Sequence, residues 1–175
     1  KNKNLDITSS VSIANIIFTD RDIKDFNTNF KLIPPLRTEI DSSALREALV
    51  DGTIDFLTSN HEPYDIDNKK VVFDQATPGS IGIESVFGLM SNNFTLEKTI
   101  DILTRKKSVF QIKDHTIEVG SPADITLFNP DKNYKFSNRH ILSTSKNCAF
   151  INCNLKGVVY GSINNNNLTL NKLWT

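Results

Sequence analysis

Apolar and polar positions change their period along the chain, and the change divides it. A short β-rich run over residues 5–11, bounded by polar residues, predicts a strand that leads into a mixed segment ending near Phe26. Pro34 and Pro35 cannot sit inside a helix or a central strand, so residues 31–38 are read as an extended connection of fixed shape. Asp41 is a candidate N-cap for a helix over residues 42–51, in which Leu45, Ala48 and Leu49 share a face and Gly52 supplies the stop. Residues 54–59 read as a buried strand and residues 60–79 as a polar loop. Two helices follow, over residues 81–90 and from Thr95 to about Lys106. Alternation of strands and helices argues for a parallel α/β architecture, in which the residues just past a strand's C-terminal end face the functional mouth; residues 60–79 hold that position. From Phe110 onward the pattern becomes short strands, over residues 116–119, 124–128, 149–151, 158–163 and 168–170. Asn164, Asn165, Asn166 and Asn167 can adopt the left-handed backbone that a hairpin needs. The chain is therefore divided near Ile112, into residues 1–112 and a small β domain of residues 113–175.

Composition narrows the partners. With 175 residues, 20 Lys+Arg against 20 Asp+Glu, 38% hydrophobic residues and 11 Phe, the chain has apolar material for a core and no net charge to draw it to nucleic acid or an acidic membrane. Its longest apolar runs fall far short of the ~20 residues of a spanning helix. Cys148 and Cys153 are separated so that they would lie on opposite faces of one strand, which argues against a disulfide, and no metal-ligand spacing accompanies them. Two free thiols fit the cytosol. Asn93-Phe94-Thr95 and Asn167-Leu168-Thr169 match the glycosylation pattern, yet no secretory leader is visible. The chain opens at Lys1 without Met, so either it was processed or it is part of a longer product.

The polar residues at the mouth are Asn60, His61, Glu62, Tyr64, Asp65 and Asp67, a set that could bind a small polar ligand or merely solvate a turn. The Asp65-Ile66-Asp67-Asn68 spacing hints at a calcium loop but lacks its Gly and distal Glu. Five strings in order add more: KLIPPLR at residues 31–37, ALREAL at 44–49, DGTID at 51–55, SNHEPY at 59–64 and PGSIGIES at 78–85. Together they resemble the closing third of the dihydroorotase family, whose strings run K-x-N-P-P-L-R, D-G-T-I-D, T-D-H-A-P-H and G-x-x-G-x-E-T. Further on, GSPADITLF at residues 120–128 is similar to the G-x-x-A-D-L-x-L-F string of amidohydrolase superfamily members, and SKNCAF at 145–150 to their S-K-N-T-P-F.

The resemblance implies the C-terminal βα units of an amidohydrolase (TIM-type) barrel followed by a small β-strand domain. It implies a zinc-dependent parent family that interconverts dihydroorotate and carbamoyl aspartate in cytoplasmic pyrimidine biosynthesis. The family's H-x-H pair, carboxylated lysine and other metal histidines match nothing here, so no metal ligand and no zinc are expected in this chain alone. The acid that the family places at the end of the eighth strand, where it ligates metal and carries the proton, corresponds to Asn60. A carboxamide cannot shuttle that proton, a loss of ~10²–10⁴-fold in rate. The substrate-binding Asn and His positions correspond to Ile33 and Tyr64, while Pro78 and Gly79 match positions where the family's backbone contacts the ring.

Three readings follow. One is a dihydroorotase-like cyclic amide hydrolase of which this is a C-terminal fragment, inactive alone. Another is a catalytically silent homologue that serves as a structural partner of aspartate transcarbamoylase, and a third is an allantoinase- or hydantoinase-like hydrolase. Because the segment holds only the last units of a closed barrel, self-association or pairing with the missing N-terminal part is expected.

Overall fold

The computed structural model describes residues 7–105, 107–113, 115–164 and 166–174. Within it, β1 (Ser10–Ser12) runs straight into α1 (Ile13–Ile17), whose turn is opened by the Ser12 hydroxyl accepting the Ala14 N–H at 3.3 Å. Leu5 and Asp6 of the expected first strand lie outside the described residues. Three 3₁₀ turns then carry the chain to Phe30, and residues 31–38 are irregular, as the prolines require.

The next helix, α2 (Glu39–Asp51), starts earlier than Asp41 alone suggests. Thr38 is its N-cap, and the Asp41 carboxylate reaches back to accept the Thr38 N–H at 3.1 Å, so Asp41 is the inner partner of a capping box. Gly52 ends the helix at φ 82°, in the left-handed region. From there Asp51 Oδ1 accepts the Thr53 N–H, and the buried Asp55 carboxylate accepts the Ser9 N–H at 2.9 Å, which brings the chain alongside β1. β2 (Phe56–Thr58) pairs with β1 in parallel, Ser10 to Phe56 and Ser12 to Thr58. Its residues are half-buried rather than buried, because β1 is its one paired neighbour among the described residues.

The apolar residues 81–85 are not helical as expected. The Ile81 N–H bonds to Asn147 O at 2.9 Å and Ser85 turns back on Gly82 O, so α3 begins later (Val86–Asn93). It leads into α4 (Leu96–Thr104), whose N-cap Thr95 accepts the Lys98 N–H and whose inner face buries Thr99 and Ile102. Lys106, the expected end of that helix, lies outside the described residues. Arg105 reaches from its C-cap to the carbonyl of Leu49, tying α4 to α2.

A separate antiparallel sheet is built from β3 (Asp124–Lys135), β4 (Asn154–Asn164) and β5 (Asn167–Leu170), in the order β3-β4-β5. β3 runs beyond the expected Phe128 through Pro130, and a register shift between Asn129 and Asn133 accommodates the proline's missing N–H. The asparagine turn joins β4 to β5, with Asn166 at φ 62° and Asn165 outside the described residues. Two expected strands are absent. Residues 116–119 form bends and a turn that leave Ile117 and Val119 exposed and unpaired in any described sheet. Residues 149–152 form a turn closed by Cys153 N–H to Phe150 O at 3.1 Å, with Asn152 at φ 71°. Cys148 and Cys153 therefore flank a turn instead of facing apart on a strand; both thiols are free, and burial pushes Cys148 up to about 11. No helix among the described residues is long and apolar enough to cross a membrane.

One buried cluster joins the two sheets. Ile13, Ile16, Leu49, Ile81, Leu89 and Met90 pack with Phe136, Phe150 and Leu155, and the Phe150 ring stacks on Phe18 at 5.3 Å. Phe150 arrives at this position from the turn that ends the SKNCAF string. Phe150→Ala is expected to cost about 3–5 kcal/mol in urea denaturation, whereas Ile117→Ser, at a residue 88% exposed, should change stability by less than about 0.5 kcal/mol.

Candidate functional site

Just past β2 the chain enters the mouth at Asn60, which stands at φ 44°, a backbone region that Asn tolerates better than most residues. Its side-chain Nδ2 donates to Ile33 O at 3.0 Å. Ile33 precedes Pro34 through a cis peptide, and its own side chain points out, 62% exposed. The Ile33 backbone thus meets Asn60 while its side chain takes no part in the mouth. The same loop is held from two other sides. Asn15 of α1 donates to Pro35 O at 3.0 Å, and the Gly79 N–H donates to Lys31 O at 2.8 Å.

Residues 60–64 run beside residues 78–81. A parallel bridge joins His61 to Ser80, and the Glu62 N–H bonds to Ser80 O at 3.0 Å. Gly79 sits at φ 136°, and a Cβ there would fall 2.5 Å from Glu62 Oε2 and 2.6 Å from Tyr64 Cε2. Glycine at this position lets Tyr64 lie directly on the backbone. Asn60, Ile33, Tyr64 and Gly79 are brought into one patch, with half-buried Pro78 beside Gly79.

Three residues of this patch were not singled out from the sequence, although all lie within or next to the quoted strings. Asn147 is buried, and its side chain accepts the Tyr64 N–H at 3.1 Å while donating to Glu62 O at 2.9 Å and Gly79 O at 3.3 Å. Every polar group of its carboxamide is used. Glu84 and Ser143 form the second element. The Ser143 hydroxyl donates to Glu84 Oε1 in a short contact, and the Ser143 N–H donates to the same oxygen at 2.8 Å. His61 completes the group. Its Nδ1 accepts the N–H groups of Gly82 and Ile83, both at 3.3 Å, so its proton belongs on Nε2, which faces Ser143 Oγ at 3.4 Å. Burial pushes the Glu84 carboxyl up, but the Ser143 hydroxyl and amide, with its own backbone N–H and His61, outweigh that and hold it below its ordinary value of 4.5.

The donor set does not suit a zinc ion. Asn60 offers a neutral carboxamide already engaged with Ile33, and the Nδ1 lone pair of His61 is taken by two backbone N–H groups. Among the described residues no group of three His, Cys, Asp or Glu side chains is placed to hold a metal. The arrangement fixes the shape of two loops, and the Asn60 position just past β2 carries a carboxamide bonded to Ile33 O.

No family model matches the chain. It is 38% identical over 166 residues to a dihydroorotase of Thermoanaerobacter sp. (strain X514), covering 91% of this chain and 38% of that protein. To a dihydroorotase of Bacillus subtilis (strain 168) it is 35% identical over 157 residues, covering 86% and 37%. In structure it is similar to L-hydantoinase (dihydropyrimidinase) from Arthrobacter aurescens, with a TM-score of 0.87 at 22% identity over 98% of this chain and 41% of the other. It also superposes on an inactive dihydroorotase-like domain of the Chaetomium thermophilum CAD-like multifunctional protein, with a TM-score of 0.61 at 18% identity. The fold is that of the C-terminal part of an amidohydrolase TIM-type barrel with a small antiparallel sheet. Over about nine tenths of its length the chain is similar to dihydroorotases, of whose own length it spans less than two fifths.

Two measurements test the site. Asn147→Ala leaves the Tyr64 N–H and two carbonyls without partners and should cost about 2–3 kcal/mol in urea denaturation. Since Glu84 is held below its ordinary value, it stabilises the fold above pH 4.5, and that contribution is lost as pH falls through its depressed folded value. The stability gap between wild type and Glu84→Gln, measured by denaturation from about pH 7 downward, should therefore shrink below pH 4.5.

Proposed function

We propose that this chain is the closing part of a dihydroorotase-like barrel that has kept the family's architecture and lost its turnover. Its role on this reading is structural, as a silent homologue that supports a partner enzyme of pyrimidine biosynthesis, with aspartate transcarbamoylase as the candidate. Residues 113–175 serve as its small β domain, and chain upstream of this segment supplies the rest of the barrel. The observation that carries the reading is the Asn60 bond to Ile33 O. Where the resembling family has a metal-binding, proton-carrying acid, this protein has a neutral donor that closes one loop onto another. A carboxylate at the same place would face a carbonyl oxygen and repel it.

Ile33 and Tyr64 support the same reading. One turns an aliphatic side chain to solvent, and the other packs a phenol ring on Gly79, where the resembling family has substrate-binding polar side chains. The zinc and the cyclic amide of the parent family belong to the alternative, a working cyclic amide hydrolase, which the identity to dihydroorotases favours.

The deciding experiment uses the full-length protein, assayed for zinc content, for dihydroorotate hydrolysis and carbamoyl aspartate cyclisation, and for co-purification with the transcarbamoylase. No turnover above background, no gain from Asn60→Asp alone, and retention of the transcarbamoylase are expected. Stoichiometric zinc together with turnover would falsify the silent reading.

A further inference from the structure

Beside the mouth, on the far side of Tyr64, lies a cleft of about 460 Å³ that none of Asn60, Ile33, Pro78 or Gly79 lines. Thr28 comes from the 3₁₀ turn that ends at Phe30, Tyr64, Asp65, Lys69 and Lys70 from the loop past β2, and residues 144–147 from the far stretch of the chain. Lys69 is the unusual member. It is buried, yet its ammonium donates only to backbone carbonyls, Thr28 O at 3.0 Å and Thr77 O at 2.7 Å. Among the described residues no carboxylate lies within ion-pair distance, and Glu62 acts on it only from farther away. Burial, opposed by Glu62 and aided by Lys31, pushes this amine down to about 8.

Lys146, an exposed residue, also donates to carbonyls. Its ammonium donates to Ile141 O at 3.0 Å and Ser143 O at 2.9 Å. Each ammonium carries three N–H groups, so each keeps one after its two carbonyl bonds, on a side chain already immobilised. Exposed Lys70 adds a third positive charge, against the single acid Asp65. Anchored ammonium groups cost little further ordering when a ligand arrives, which is the condition for a selective ion site.

We propose that this cleft binds a small oxyanion, a phosphate or carboxylate group, between the ammonium groups of Lys69, Lys70 and Lys146. The site adjoins the mouth, sharing Tyr64 and Asn147 with it, and is independent of turnover there. Its occupant supplies the counter-charge that the buried Lys69 lacks and joins the loop of residues 65–70 to residues 144–147.

The test is thermal unfolding of the full-length protein titrated separately with sodium phosphate and sodium succinate, each against sodium chloride at matched ionic strength. A saturable rise in Tm with either anion is expected, since a ligand that binds only the folded state raises stability by mass action. Phosphate alone, or succinate alone, identifies which oxyanion group is taken. Lys70→Gln, at an exposed position, should weaken the apparent affinity about threefold, and Lys146→Gln about tenfold or more. No rise beyond the chloride control up to about 20 mM of either anion, or a rise unchanged by both substitutions, overturns the proposal. Because unfolding temperature and not activity is read, that failure leaves the interpretation of Asn60 untouched.

Discussion

The carboxamide of Asn147 is the interaction on which the shape of the mouth rests. A buried amide must have its donors and acceptor matched, or it costs more than the apolar residue that could replace it. Here the match is made with three different residues, Glu62, Tyr64 and Gly79, which belong to two loops with no sheet to align them. The backbone carbonyl of Asn147 takes the Ile81 N–H as well. Next to it, Ser80 Oγ receives the Ala149 N–H at 2.9 Å. One short stretch from beyond residue 112 therefore holds both walls of the mouth, and Phe150 at its end is locked into the shared core. These bonds are made by the protein's own groups.

On the proposed reading, that independence explains how architecture can persist when an acid becomes an amide. In a site whose loops were held by metal bonds, replacing a ligand would release the loops. In this one the loops are set by Asn147, Asn15 and the Gly79 N–H, and Asn60 adds a further bond to Ile33. On that reading the exchange removes charge and proton transfer, while the Asn60 amide supplies a donor to the Ile33 carbonyl. Shape is carried by side chains other than the one proposed to have lost its chemistry.

How much of this was legible depended on whether the signal was local. The DGTID string could be read as a helix stop because that part is local, with Gly52 at positive φ and Asp51 on the Thr53 N–H, whereas Asp55 reaches 46 positions back to Ser9. The prolines of residues 31–38 likewise announced an irregular connection. Signals that depend on distant partners misled. Residues 81–85 are apolar enough for a helix, but the Ile81 N–H is claimed by Asn147, 66 positions away, and the helix waits until Val86. Residues 149–151 looked like a strand because they are apolar and short, and they form a turn because their burial is against the core and not beside another strand. At the site, Asn60, Ile33, Tyr64 and Gly79 were found through their strings. Asn147, Glu84 and Ser143 were overlooked, since a polar residue that acts by satisfying another loop's backbone leaves no periodic trace.

The half-buried state of β2 is the last such case, and it bears on the whole molecule. A strand at the centre of a parallel barrel is covered on both faces and paired on both edges. β2 is paired with β1 alone in the described residues, and Phe56, Leu57 and Thr58 remain partly open. Two parallel strands cannot close a barrel, whereas eight can. The apolar sequence of β2 is thus that of an interior strand, while its surroundings are those of an edge. The mismatch disappears once further strands pair beyond it, and the chain's share of its relatives' length leaves ample room for them. On the proposed reading the open flank of β1 and β2 is an internal seam of a larger barrel, and the mouth that Asn147 holds is one arc of its rim.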